Sequence, residues 1–239
     1  MINYIVQKLL TSKVHEATRI WLQAQDPSLG ATFTTRTRLD ASFVPGNGDW
    51  LAALPNKSQG TLMHRWEYSL ALQFRYEVRM LDSSKRCGVG KCNGIRGVEK
   101  IDDTECNGDG RHSERHNFLR DILRNMAREA GYATNNNQEP INLFPDSAER
   151  PADVLIKGYE GGSDLCIDVA VVTPFGGRGH LETAELRKNN HYKEECRRNN
   201  LAFTPFIMDT LGNFGPSCST LIKNLAAGMA NRNRDENIF

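Results

Sequence analysis

Asp153 and Asp168 are the two side chains of this sequence that most need a chemical explanation. Asp153 stands in Arg150-Pro151-Ala152-Asp153-Val154-Leu155-Ile156, and Asp168 in Ile167-Asp168-Val169-Ala170-Val171-Val172. A carboxylate set in an apolar strand is costly unless it is paired or binds a cation. Hard oxygens suit Mg2+ (or Mn2+), which takes one or two carboxylates together with waters and phosphate oxygens. Such an ion lowers the pKa of a bound water and neutralises negative charge as it builds. Each aspartate alone also fits a plainer role, a strand-end residue satisfied by backbone amides or by an arginine such as Arg150. Two of them on neighbouring strands favour the cation.

A second set has softer chemistry. Cys87, Cys92 and Cys106 follow a Cys-x4-Cys-x13-Cys spacing and precede His112 and His116. Residues 82–112 are rich in glycine and have almost no hydrophobic periodicity, so a packed core cannot hold them. Thiolates in a coreless segment are the usual setting for a structural, tetrahedral Zn2+. His112 is the first choice for a fourth ligand, with His116 and Asp102 behind it. The plainer alternative is three free thiols in a loop. Cys166, Cys196 and Cys218 each fall in a separate element, which argues against a disulfide framework.

The elements that must position these groups follow from periodicity. Residues 1–25 and 62–80 carry apolar residues at helical spacing, the second through Leu62, Trp66, Leu70, Phe74 and Val78. Residues 30–60 favour turns. Ser113 can cap a helix over 114–130 whose apolar face is Phe118, Ile122, Leu123, Met126 and Ala130, with Gly131 as its stop. A weak strand over 139–143 precedes strands over 152–158 and 165–173. A helix over 181–199, a strand over 203–209 and a helix over 219–231 complete the order α-β-β-β-α-β-α. The 239 residues carry a net charge of +1, with 39% hydrophobic and 25% charged residues. That composition excludes wholesale disorder and a fibrous chain. No run approaches the ~18–20 apolar residues of a membrane span, and the first residues lack a basic leader. The expectation is an intracellular protein without a membrane partner. Net charge gives no global pull on nucleic acid, so any such contact must be local. Arginines at 111, 115, 120, 124 and 128, and Arg187, Lys193, Arg197 and Arg198 around Tyr192, are the two basic sets. Nearby acids leave ordinary salt-bridged helix faces as the alternative.

The element order, with one acid on the second strand and one on the third, resembles the PD-(D/E)xK superfamily and its restriction-endonuclease-like fold. More closely, the runs Arg115-His116-Asn117, Glu139-Pro140, Arg150 to Val154, Asp168 to Pro174, and Ala184-Glu185 with Lys188 and Tyr192 are similar to the endonuclease region at the C-terminus of retroelement reverse-transcriptase polyproteins. The upstream Trp50 to Pro55 and the 62–80 helix resemble the linker found there. The resemblance spans roughly residues 48–215. It implies an α/β fold in three parts: a helical extension (1–81), a zinc-knuckle-like insert (82–112) and a restriction-endonuclease-like αβββαβα core (113–239).

The resemblance also implies site roles. Asp153 and Asp168 would bind a catalytic Mg2+, and Glu139 is either a further metal-site carboxylate or a surface turn residue. The superfamily lysine is expected two residues after the second acid, where this chain has Ala170, so Lys188 on the following helix is the candidate replacement. Lys188, Ala184 and Tyr192 share a helix face, and Lys193 lies off it. The alternative for Lys188 is a solvated or phosphate-contacting face. His116 would orient water, contact phosphate or ligate zinc, unless it is a helix-start residue with no task. Arg115, Arg187, Tyr192 and Lys193 would meet DNA. The related domains carry a Cys-Cys-His-Cys knuckle, from which this chain departs in its first spacing and at Asp102. A Mg-dependent endonuclease acting on DNA is the implied activity, with a homodimer among its possible partners and a nuclear location in a eukaryote. A decayed, binding-only relative and a structural interaction module are the rivals.

Overall fold

The structure, a computed structural model, describes residues 64–65, 86–88, 92, 106, 111–136, 139–145, 149–174 and 179–236. The helix expected over 1–25, the turns over 30–60, the Trp50 to Pro55 segment and all of the helix expected over 62–80 except His64 and Arg65 fall outside these residues. The chain divides into two compact units, Met1–Asp109 and Gly110–Phe239.

The second unit is mixed α/β. In chain order it runs α1 (Arg111–Glu129), β1 (Val154–Ile156), β2 (Asp164–Val172), α2 (His180–Lys188), a π turn (Asn189–Lys193), α3 (Glu194–Arg198), β3 (Leu201–Asp209) and α4 (Pro216–Glu236). Its sheet has the order β1-β2-β3. β1 pairs antiparallel with β2, through Val154 with Ile167, Leu155 with Cys166 and Ile156 with Leu165. β3 lies parallel to β2, the two joined by the helical crossover, with Cys166 beside Phe203 and Asp168 beside Pro205.

Strand alternation sorts the core into two layers. Val154, Ile156, Leu165, Ile167 and Val169 face α1 and α4, where Leu119, Leu123, Ala127, Cys218, Leu221 and Leu225 meet them. Residues one step along point the other way. Leu155 and Cys166 pack with Ala152, Phe144 and Cys196, and Tyr192 and Phe203 lie against that cluster. Asp168 shares the parity of Cys166, so its carboxylate belongs to the α2–α3 side of the sheet.

Two expectations are corrected here. Residues 139–143 form no strand: Pro140 has no amide to donate and Asn142 adopts φ +60°. The chain instead meets β1 earlier, where Thr134 bridges Ile156, the Asn135 amide donates to the Leu155 carbonyl and the Lys157 amide to that of Ala133. The apolar face of α1 is corrected in part: Phe118 is 70% exposed and Ile122 is 41% exposed, whereas Leu123 is buried as expected, with Met126 and Ala130 against the core and Leu119 and Ala127 buried beside them. Both faces carry large apolar residues at i, i+4 spacing, so periodicity alone does not choose between them. The end of α1 follows expectation: Gly131 takes φ +92°, and the Tyr132 and Gly131 amides close back on the carbonyls of Ala127 and Arg128.

Glu185 ties the two long helical segments together. Its buried carboxylate accepts from the Ser217 amide at the start of α4 and from the Ser217 hydroxyl. A Cβ at Gly215 would come within 2.9 Å of Glu185 Oε2, so the approach depends on glycine there.

The corrected α1 face gives a direct test. Leu123→Ala should destabilise the fold by about 2–5 kcal/mol, whereas Phe118→Ser should change it by no more than about 0.5 kcal/mol. Urea denaturation of the two variants distinguishes the faces, and equal losses would contradict the orientation described.

Candidate functional site

Asp153 immediately precedes the paired residues of β1, and its amide donates at 2.9 Å to the carbonyl of Ile167, which is already the partner of Val154, so the regular register breaks there in the manner of a bulge. The break leaves the Asp153 carboxylate beside Val169 and close to Asp168. Neighbouring carboxylates repel, and both residues are only 7% exposed. The surroundings supply the compensation. Asp153 Oδ2 accepts from the Val169 amide at 2.7 Å and lies 3.1 Å from His116 Nε2. Lys188 Nζ approaches Asp168 Oδ2 to 2.7 Å as an ion pair whose angle lies outside hydrogen-bonding geometry, so that buried oxygen accepts no hydrogen bond.

These contacts push the two acids apart. Burial raises the Asp153 pKa, but the His116 hydrogen bond, the Val169 amide and the charges of His116 and Lys188 outweigh it and hold the group below the ordinary carboxylate range. Burial also dominates at Asp168, and the neighbouring Asp153 adds to it, so the group is pushed up to about 6 despite Lys188. His116 is raised, chiefly by its hydrogen bond to Asp153.

Lys188 closes α2 and reaches Asp168 from the α2–α3 side of the sheet. Ala170 has the same strand parity as Asp168, and the ammonium beside Asp168 comes from the helix. The structure brings together Asp153, Asp168, Lys188 and His116. It does not add Glu139, which pairs with Arg150 at 3.3 Å, both being well exposed. Arg150 is thereby turned away from satisfying the aspartates. His116 meets Asp153 through Nε2.

The basic sets separate into spent and open residues. Arg120 and Arg124 pair with Asp121, and Arg128 donates to Thr134 and to the Asn135 carbonyl. Arg197 and Arg198 pair with Glu194 and Glu195. Arg115 is half-buried, whereas Arg187 and Lys193 are exposed. Tyr192 is not a free surface aromatic: its ring packs on Phe203 with centroids 5.7 Å apart. A second histidine–aspartate pair escaped the sequence analysis. His180 Nε2 lies 3.1 Å from Asp209 Oδ2, and Asp209 also accepts from the amides of Leu211 and Asn213 and from the Asn213 side chain. That pattern fastens the start of α2 to the end of β3.

In the first unit the sulfurs of Cys87, Cys92 and Cys106 lie within 4.8 Å of one another, the one such group of three or more ligating side chains among the described residues. Cys87 and Cys106 Sγ are 3.6 Å apart. A tetrahedral site with metal–sulfur bonds of ~2.3 Å has sulfur–sulfur edges of roughly 3.8 Å. The three thiols therefore suit a metal ion such as zinc. The side chain of His112 and the whole of Asp102 fall outside the described residues.

No protein-family model and no curated protein matches this chain. None of the described helices is long and apolar enough to cross a membrane.

The charge arrangement has a pH signature in the metal-free protein. Asp168 is raised on folding, so its ionised form opposes folding above pH 6, and that penalty is relieved as pH falls from about 6 toward the unfolded value near 4. His116 is also raised, and its contribution is lost as pH rises through its folded pKa. Asp153 is depressed, so its contribution fails only in stronger acid. In EDTA, stability should peak on the mildly acidic side of neutrality. Asp168→Asn should stabilise by on the order of 1–2 kcal/mol at pH 7.5, with the gain shrinking toward pH 5. A variant equally destabilised at both pH values would refute this assignment.

Proposed function

We propose that the second unit is a metal-dependent endonuclease core of the restriction-endonuclease-like kind, hydrolysing phosphodiester bonds in DNA. The observation that carries this proposal is the close approach of two buried aspartates, with a lysine and a histidine brought to them from separate helices. Structural carboxylates gain little from such an arrangement, because their mutual repulsion has to be offset by further groups. A divalent-cation site gains two hard ligands.

The donor set fits Mg2+ or Mn2+. Asp168 Oδ2 is buried with the Lys188 ammonium 2.7 Å away and no other donor on it, and the Asp153 carboxylate lies close by. Two carboxylates suffice for an ion that otherwise takes water and phosphate oxygens. When bound, such an ion would supply an acidified water and charge neutralisation at the phosphate. The chain's own groups do the rest. His116 and the Val169 amide fix the Asp153 carboxylate in one orientation. Lys188 holds a positive charge beside Asp168, where it can face the phosphate or the attacking water. Exposed Arg187 and Lys193 on the same helical segment are the phosphate contacts that remain open.

Supercoiled plasmid, linear duplex, branched DNA and single-stranded RNA incubated with the protein and Mn2+ test this directly. The expected result is nicking of one or more DNA substrates, abolished by Asp153→Ala or Asp168→Asn with the fold intact. Lys188→Met keeps the aliphatic stem and should cut turnover by ~10²-fold or more with little change in binding. Wild-type turnover in either aspartate variant would remove that residue from the site. Binding to DNA without any cleavage would favour the decayed relative.

For the first unit we propose one structural zinc per chain, held by Cys87, Cys92 and Cys106 with a fourth ligand of which His112 is the first candidate. Elemental analysis of protein purified without chelator should give one zinc per chain, and Cys92→Ser should lower that content sharply. Metal-free protein would end the assignment.

A further inference from the structure

Ala184, Lys188, Tyr192 and Cys196 recur every four residues through α2, the π turn and α3. In an unbroken α-helix each such step overshoots a full turn by ~40°, so three steps would carry Cys196 ~120° away from Ala184. Yet Ala184 and Cys196 are both buried, and Tyr192 packs into the same sheet-facing cluster as Cys196. The π turn of Asn189–Lys193 removes the drift, because its i→i+5 bonds fit more residues into a turn. Glu185 and Ala184 anchor the helix upstream of the turn, and Cys196 anchors it downstream. Between the two anchors, Lys188 and Tyr192 come to the same side.

There the two side chains meet. Lys188 Nζ stands 5.8 Å from the Tyr192 ring centroid, inside the ~6 Å range for attraction between a cation and an aromatic face. The ring itself is fixed, with Phe203 of β3 on one side and the His191 ring edge-on at 4.3 Å. Burial and then the charges of Asp168, Glu149 and Asp153 push the phenol pKa up, so the ring stays neutral beside the ammonium. A long lysine stem has many rotamers, and the Asp168 contact alone lacks hydrogen-bonding geometry. A fixed aromatic face narrows that choice.

We propose that Tyr192 is a positioning residue, placed on the sheet-facing side by the π turn so that its ring holds the Lys188 ammonium against Asp168. Its consequence for turnover rests on the endonuclease function proposed above; its consequence for the lysine does not. The test compares Tyr192→Phe, which keeps the ring, with Tyr192→Leu, which keeps only apolar bulk. Tyr192→Met takes the place of the leucine variant if that one does not fold. The first readout is the order parameter of the Lys188 ammonium from its 15Nζ relaxation. It should match wild type in the phenylalanine variant and fall clearly in the leucine variant. The second is DNA cleavage with Mn2+, where the leucine variant should lose roughly tenfold in kcat with KM little changed and the phenylalanine variant should stay within about twofold. An unchanged ammonium order parameter in the leucine variant overturns the proposal. So does equal turnover of the two variants. If the wild-type protein cuts no substrate, the endonuclease function falls while the relaxation measurement still decides the role of Tyr192.

Discussion

Two buried carboxylates brought close together at the end of an antiparallel strand pair constrain the second unit more than any other feature. Asp153 directly precedes the paired residues of β1, and Asp168 follows Ile167, the partner of Val154. A one-residue slip would turn the apolar residues of β1 to the wrong layer. The hydrophobic register therefore keeps the two acids near each other. Relief comes from outside the sheet: a backbone amide from β2, an imidazole from α1 and an ammonium from the end of α2. The unequal environments leave one carboxylate depressed and the other raised to about 6.

The helices read as devices for bringing those compensating groups to the edge of the sheet. α1 buries Leu119, Leu123 and Ala127 against one layer, which directs His116 near its start toward Asp153. The crossover between β2 and β3 is fastened at several points, by His180 to Asp209, by Glu185 to Ser217 and by Cys196 in the opposite layer. Lys188 projects from the middle of that clamped segment. Clamping of this kind suits a site that must hold charged groups in a fixed relation, since side chains on rigid elements are placed more sharply than those on loops.

Much of this was legible in the sequence, for identifiable reasons. β2 is almost continuously apolar around Asp168, so its burial and the need of that acid for a partner could be inferred directly. Ala184, Lys188 and Tyr192 were expected on one face, and they are. Other features were hidden. The strand expected over 139–143 fails on Pro140 and Asn142, whose backbone preferences outweigh a weak apolar signal. Of the face expected for α1, Leu123, Met126 and Ala130 meet the core while Phe118 and Ile122 do not, because Phe118 with Ile122 and Leu119 with Leu123 have the same spacing. The π turn left no compositional mark, and Asn189-Asn190 is its only local peculiarity. The pairings of His116 with Asp153 and of His180 with Asp209 are long-range contacts, set by how helices pack rather than by spacing along the chain.

The central claim is that the two neighbouring aspartates exist to hold a divalent cation. Mn2+ binding followed by electron paramagnetic resonance tests it without requiring the substrate to be known. With the thiol site kept loaded with zinc, the wild-type protein should bind Mn2+ in a way that Asp153→Asn and Asp168→Asn each weaken severely. Mg2+ should compete for the same site. Mn2+ held equally well by the asparagine variants, or not held by the wild-type protein at all, would contradict the account.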